Sequence, residues 1–433
     1  MSMIAVTAPK APPFQFLKQL AASRWLWCLA VVMIPIIRIA VTGKHGLDTT
    51  LGDTDDATRI LQVKALLAGA GWYDTTLHQI GGAAPLVSHW SRLIDAPLAL
   101  LVALFGLFTS ADTALLLTRI VWPSLLLLVF LRLLVGEAEA RQGWLAGLIC
   151  AGLAMTCLTG LFQFRIGRID HHNAMILGTV IGLLMLARSL DQPRTATISG
   201  VLLGLALAVG YEPLALIVPL LALASLVAVA DTRFIDAVAA AMKALALTLL
   251  AVVLATVTPA RWLSGTCDAL SINIVLLIGV GAAGLHLIAH YRASLTLTQR
   301  IGALATAGAV AAAAFLVPEP ACIAGPFGQV SADAKQLWLV HVRETQSIIA
   351  EAKGSPLIAM SFVLLMAAGI WAAVSRWRMQ KTIESAATAM VLFGAIPAAL
   401  LQLKFLPYAS WLAVSVIALR VAAFEGRGEI TPR

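Results

Sequence analysis

Residues 196–230 read ATISGVLLGLALAVGYEPLALIVPLLALASLVAVA. Two runs of Leu, Ala, Val and Ile flank Gly210-Tyr211-Glu212-Pro213, and neither alternates polar with apolar residues. A barrel strand would alternate. An unbroken apolar run approaching the ~20 residues needed to cross hydrocarbon reads as a helix, which satisfies its own backbone hydrogen bonds where no water can. The pattern repeats along the chain, at 25–43, 112–135, 143–162, 172–189, 196–211, 213–230, 236–258, 269–290, 299–317, 356–375, 384–403 and 405–424. Of the 433 residues 60% are hydrophobic and only 12% charged, with a mean hydropathy of +0.91. Soluble chains run near ~25% charged, so a soluble enzyme, a disordered chain and a secreted disulfide scaffold are excluded. The expected fold class is an all-α integral membrane protein with about twelve transmembrane helices, a single polytopic domain over 1–433.

Charge sets the topology. The net charge of +8 comes from basic residues that mostly flank apolar runs, as the positive-inside rule requires, so no nucleic-acid partner is implied. The run 93–108 is apolar but short and begins with Asp95 and Pro97. If it does not span, Arg188/Arg194, Arg233, Arg292/Arg300 and Arg376/Arg378/Lys381 all fall on the side of the basic N-terminus; if it spans, all fall opposite. The bias makes 93–108 a juxtamembrane or re-entrant helix. External segments are then expected at 44–111, 163–171 and 318–355. The sequence ends a few residues past the last run, so no soluble C-terminal domain is expected. Cys28, Cys150 and Cys157 read as small buried hydrophobes. Cys267 and Cys322 fall in consecutive outer connections, where an oxidising compartment permits the pairing we expect.

The polar residues that topology does not explain gather on the outer side. Gly52-Asp53-Thr54-Asp55-Asp56-Ala57-Thr58-Arg59 places carboxylates side by side, a costly arrangement unless a cation or an arginine compensates them; one Asp could also serve as a helix N-cap. His89-Trp90-Ser91-Arg92-Leu93-Ile94-Asp95 follows. Arg165-Ile166-Gly167-Arg168-Ile169-Asp170-His171-His172-Asn173 offers carboxylate and imidazole ligands, although adjacent residues seldom reach one ion. His341-Val342-Arg343-Glu344 lies in a loop longer than a connector needs. Glu212 and Lys404 sit at span ends, where an ionisable group marks function or merely snorkels. A transporter or flippase would instead place charges near the midplane on broken helices in two matching halves, which the sequence does not clearly show. A metal-dependent membrane hydrolase would leave the first loop and Lys404-Phe405-Leu406-Pro407-Tyr408 unexplained.

The order of these clusters resembles the GT-C glycosyltransferases, most closely the catalytic subunit of oligosaccharyltransferases. In that family a catalytic Asp precedes a short helix and an Arg, as Asp53 precedes Arg59, with Asp55 and Asp56 extra here. Archaeal members carry Asp-His-His, as at Asp170-His171-His172. A fifth external loop bears a Glu, loosely matched by Glu344, and a basic residue, an aromatic and a Tyr match Lys404, Phe405 and Tyr408. The family's soluble domain with its Trp-Trp-Asp-Tyr-Gly motif has no counterpart in this sequence, so protein N-glycosylation does not carry over. The resemblance implies an inverting glycosyltransferase of the outer face, taking a sugar from a polyprenyl phosphate or pyrophosphate in the lipid bilayer to a glycolipid or cell-envelope glycan such as lipopolysaccharide. It further implies a multi-pass protein of a bacterial inner membrane with its active site toward the periplasm. Asp53, then Asp55 or Asp56, would be the base. Asp170, His172, His171 and Glu344 would hold Mg²⁺ or Mn²⁺. Lys404, Tyr408, Arg165 and Arg168 would bind the donor phosphate. Arg59, His89, Trp90, Arg92, Glu212, His341 and Arg343 would bind substrate.

Overall fold

The computed structural model describes residues 53–81 and 85–425, together with 26, 28–33, 36 and 37 of the first apolar run. Most of the run at 25–43, residues 44–52 of the first external segment and the C-terminal tail lie outside the described residues. Among those described, eight helices are long and apolar enough to cross a membrane: Ala111–Gln142, His172–Ser189, Thr232–Thr256, Ile272–His290, Leu297–Leu316, Pro356–Gln380, Ile383–Leu401 and Leu403–Ala423. Trp144–Thr156 and Leu158–Phe164 form a further pair bent by 73°, and Pro193–Val209 and Leu214–Ala230 are shorter apolar helices. Each apolar run of the sequence from 112 onward is thus a helix. The bend at Cys157 is the exception to the expectation of a straight span at 143–162. Gly160 follows it against the Trp411 indole, where a Cβ would lie 2.5 Å from Cε2.

Helix Leu403–Ala423 is buried along nearly its whole length, among Pro356–Gln380, Trp144–Thr156 and Ile383–Leu401. Its Trp411 meets Phe130 edge-on at 4.9 Å, and Phe130 stacks on Phe164 at 5.3 Å. Leu297–Leu316, by contrast, is only 6% buried in its most apolar window, as a helix facing lipid would be. Glycines set the closest crossings: Gly178 and Gly182 face the helix bearing Leu202 and Leu203, and Gly200 and Gly204 face the helix bearing Ala241 and Thr248. Small residues let membrane helices approach until their backbones touch, where burial from water offers no driving force.

The two ends of the bundle differ. At one end Arg141 binds Glu137 (3.0 Å) and Glu384 (2.6 Å), Arg188 binds Glu137 (2.6 Å) and Arg376 binds Glu384 (2.6 Å), so these charges compensate one another. At the opposite end the first external segment lies as helix Thr54–Leu67, a two-stranded antiparallel hairpin pairing Thr76 with Val87 and Leu77 with Leu86, and helix Arg92–Gly106. The last is capped by Ser91 and buries one face (Ile94, Asp95, Leu98, Ala99) while exposing Leu100 and Leu104; it is the juxtamembrane helix that the charge bias requires. Beyond Leu316 the chain makes short turns and the helices Ala332–Leu337 and Ile348–Gly354. Cys267 and Cys322 are disulfide-bonded, with Cα atoms 5.0 Å apart, as expected.

A Cβ on Gly200 would strike the Ala241 carbonyl oxygen, which belongs to backbone and cannot swing aside. Gly200→Leu is expected to destabilise the protein by roughly 1–3 kcal/mol or more. Gly302→Leu, at a position with nothing within 4 Å, should be neutral. Thermal unfolding in detergent compares them, and equal melting temperatures would contradict the packing.

Candidate active site

Asp53 caps helix Thr54–Leu67: its Oδ1 accepts from the backbone of Asp55 (2.9 Å) and Asp56 (3.2 Å). Asp56, one turn in, is fully buried and accepts from the backbone N–H groups of Ile169 (2.8 Å) and Asp170 (3.1 Å). The guanidinium of Arg168 completes the junction, bonded to Asp53, Asp56 and Asp170. Gly167 makes the turn possible: its φ of +97° is open to glycine, and its N–H donates to the carbonyl of Arg119 at 2.9 Å. One arginine thus fastens the external helix to the start of helix His172–Ser189.

His172 stands at the centre. Its Nδ1 lies 2.9 Å from Asp170 Oδ2, and its Nε2 lies 3.3 Å from Glu212 Oε1 and 4.0 Å from Glu344 Oε2. A carboxylate behind one ring nitrogen, with the other facing acidic oxygens, is how metal-binding histidines are oriented. Gly210 packs closely here, since a Cβ there would stand 2.2 Å from Met175 Sδ and 2.8 Å from the His171 ring. Potential ligand atoms fall within 4.8 Å of one another in three sets: Asp55, Asp170 and His172; His172, Glu212 and Glu344; and Asp53, Asp56 and Asp170. Hard oxygens with one imidazole suit a divalent cation. Glu212 Oε2 is buried without a hydrogen-bond partner, so the second set has an acceptor left over for one. Lys404 lies within electrostatic reach of Glu212 and Glu344, and its ammonium sits 5.4 Å from the Phe327 ring and 5.7 Å from the Phe405 ring. The buried hydroxyl of Tyr408 has no partner either.

The carboxylates are not equivalent. Burial pushes Asp55 up to about 6, helped by Asp53, Asp170 and Glu344 and opposed by His172. Asp56 is likewise raised to about 6 by burial and Asp170, and burial raises Glu344. Burial would also raise Asp170 and Glu212, but His172 outweighs it, with Arg168 assisting at Asp170 and Lys404 at Glu212. Asp170 is held far below the usual carboxylate range and Glu212 at about 2. His171, buried and stacked on His172 at 4.5 Å, is lowered to about 3, chiefly by burial.

A second layer braces the first. Arg59 and Arg92 share Asp95, at 2.6 and 3.0 Å, and all three side chains are inaccessible to solvent. Arg92 also donates to the carbonyls of Trp72 (3.0 Å) and Asp74. The Arg59 guanidinium lies 4.7 Å over Trp90, whose ring meets His171 at 5.6 Å.

Neither a family model nor a curated protein matches the sequence. Solved structures do. An archaeal oligosaccharyltransferase, AglB from Archaeoglobus fulgidus in complex with an inhibitory peptide and a dolichol-phosphate, superposes with a TM-score of 0.72 at 14% identity over 95% of this chain and 51% of that one. The apo form of the Archaeoglobus fulgidus enzyme gives 0.67 at 16% over 96% and 52%, and its complex with Zn and sulfate 0.61 at 14% over 93% and 49%. This chain has the oligosaccharyltransferase fold. The chain spans about half the length of the structures it matches.

Within that fold the residues singled out in the sequence divide. Asp53, Asp55, Asp56, Arg168, Asp170, His171, His172, Glu212, Glu344, Lys404 and Tyr408 share one neighbourhood. Arg165 borders it, its guanidinium 4.4 Å over Phe162. Arg168 pairs with three carboxylates. Arg59 and Arg92 are buried, and Asp95 pairs with both heads. Arg343 turns to Glu351 (3.0 Å), and the exposed ring of His341 makes no hydrogen bond or ion pair among the described residues. Asp95 is what the sequence reading passed over, although its spacing of three from Arg92 on a helix was the available signal. Asp95→Ala would leave two buried guanidinium groups without a counter-charge, a loss of roughly 3–5 kcal/mol. Thermal unfolding is expected to show it, and a wild-type melting temperature would mean Asp95 braces nothing.

Proposed function

We propose that the protein transfers a sugar from a polyprenyl-linked phosphate to an acceptor hydroxyl on the membrane face where the loops gather, with inversion at the anomeric carbon. The observation that carries this reading is the arrangement of open groups: Lys404 beside Glu212 and Glu344, His172 Nε2 turned toward the same two carboxylates, and Asp55 across the histidine. The solved AglB complex contains a dolichol-phosphate, which supports a lipid-linked donor here. Glycolipids and envelope glycans are the acceptors that fit a donor kept in the bilayer.

The acceptor oxygen forms a bond to the anomeric carbon as the carbon–oxygen bond to phosphate breaks, and the electron pair leaves with the phosphate. The acceptor proton goes to a carboxylate. Asp55 suits this role: it is half-buried, its carboxylate makes no hydrogen bond among the described residues, and a value of about 6 is close to operating pH. Asp53, the family's matching position, has its oxygens on the helix N–H groups and on Arg168, so we assign it to holding the site. Lys404 places a point charge where the donor phosphate gains negative charge. His172, Glu212 and Glu344 would hold a divalent cation, with Asp170 orienting the ring. When bound, that ion offsets charge on the leaving phosphate.

A transporter is less well supported, because the site's charges gather at one end of the bundle, while Glu137 and Glu384 at the other end are paired with arginines. The disulfide on the site's side favours an oxidising compartment, consistent with the periplasmic face of a bacterial cytoplasmic membrane.

Asp55→Asn is expected to reduce turnover of a polyprenyl-phosphate sugar by about 10²–10⁴-fold with donor binding kept, and Asp53→Asn, whose amide oxygen can still cap the helix, to reduce it less. Wild-type turnover in Asp55→Asn would remove Asp55 from the reaction. Lys404→Ala should raise the donor KM and lower kcat while Lys404→Arg retains most activity; unchanged kinetics would leave Lys404 as a lipid anchor. Thiol labelling in intact cells gives the orientation. Cys267 and Cys322 should react with an impermeant reagent only after reduction from outside, and labelling from the cytoplasm alone would reverse the topology.

A further inference from the structure

A cavity opens beside the catalytic cluster, between the first external segment and the connection at 256–271. Tyr73 and Trp90 supply its aromatic surface, Arg261 its cation, and hydroxyl side chains much of the remainder, including Ser88, Thr256, Thr258, Ser264, Thr266 and Ser271. Thr256 and Thr266 donate to the carbonyls of Val252 (2.9 Å) and Ala269 (3.3 Å), and the Ser88 hydroxyl already accepts from Trp90 N–H. A hydroxyl that has given its proton to the protein remains an acceptor. Arg261 is exposed and has no ion-pair partner among the described residues.

The walls are fixed. Trp72 and Tyr73 donate to the carbonyls of Ala255 (2.6 Å) and Leu254 (3.2 Å), tying the external segment to the end of helix Thr232–Thr256. The disulfide at Cys267 and the bond from its N–H to Gln329 (3.2 Å) hold the other side. His89 meets Asp268 across the rim at 3.9 Å. Trp90, which lines the cavity, meets the His171 ring of the cluster at 5.6 Å.

We propose that this cavity is a saccharide subsite, seating a pyranose ring of either the acceptor or the donor against Trp90 and Tyr73. A sugar presents several O–H donors to a wall of acceptors, an apolar ring face to an aromatic, and oxygens to the planar donor fork of Arg261. An apolar lipid tail would leave the remaining acceptor capacity of these hydroxyls unused. The proposal rests on the glycosyltransferase reading, which is why its test measures binding as well as turnover.

Saturation-transfer NMR on the protein in nanodiscs, with methyl α- and β-pyranosides of glucose, galactose and mannose as probes, should detect at least one of them. Arg261→Ala should weaken it at least tenfold and Ser264→Trp, which fills the cavity, should abolish it. Asp55→Asn and Lys404→Ala should keep it. Should Ser264→Trp not fold, Thr258→Val together with Arg261→Ala takes its place. Retention of the pyranoside signal on adding undecaprenyl-phosphate-linked glucose assigns the cavity to the acceptor, and competitive displacement assigns it to the donor sugar. No transfer to any probe, or transfer unaltered in the cavity variants, overturns the subsite. Loss of turnover in Asp55→Asn alongside wild-type KM for both donor and acceptor in the cavity variants would overturn it while leaving the enzyme standing.

Discussion

The site depends on the buried guanidinium of Arg168. Asp53 and Asp56 reach it from the external helix, and Asp170 from the residue pair that precedes helix His172–Ser189. A buried arginine is tolerable only with such partners, and removing Arg168 would leave three carboxylates without their shared cation. The same contacts fix where everything else stands. Asp170 held by Arg168 orients His172, the orientation of His172 determines which carboxylates its far nitrogen meets, and the start of helix Thr54–Leu67 is set by Asp53. The second brace, Asp95 between Arg59 and Arg92, locks the other end of the external segment and presses Trp90 toward His171.

Carboxylates nevertheless outnumber permanent cations in this neighbourhood. Arg168 serves the Asp53–Asp56–Asp170 side, and Lys404 stands alone by Glu212 and Glu344. Burial raises Asp55, Asp56 and Glu344, and neighbouring carboxylates add to each shift. At the other end of the bundle Glu137 and Glu384 face three arginines, Arg141, Arg188 and Arg376, and no carboxylate is left over in that cluster. An acidic site with leftover acceptors beside an unpaired lysine is suited to a cation and a phosphate arriving together. The phosphate alone would meet repulsion from the glutamates, and the cation alone would sit beside the lysine.

Much of the architecture was legible because it follows from local sequence. Apolar run lengths gave the helices, and the expectation that Cys267 and Cys322 fall in consecutive connections on one side anticipated their bond. The bend at Cys157 was not legible, since it answers to Trp411, more than two hundred residues on. For the same reason the sequence could nominate Arg59, Arg92 and Arg168 as ligand-binding residues but could not reveal the carboxylates that already occupy them. Among Asp53, Asp55 and Asp56 spacing left the choice open, and only the hydrogen bonds distinguish a cap, an open carboxylate and a buried anchor. Glu212 lies forty residues from His172 with a span and a half between them; an approach over that separation has no signature in periodicity.

The most direct measurement is Mn²⁺ binding by electron paramagnetic resonance on the purified protein in nanodiscs. The account predicts a saturable site that is lost in His172→Ala and Glu212→Gln, kept in Glu351→Gln, and tightened by undecaprenyl phosphate only while Lys404 is present. No bound Mn²⁺, or binding indifferent to His172 and Glu212, would contradict it.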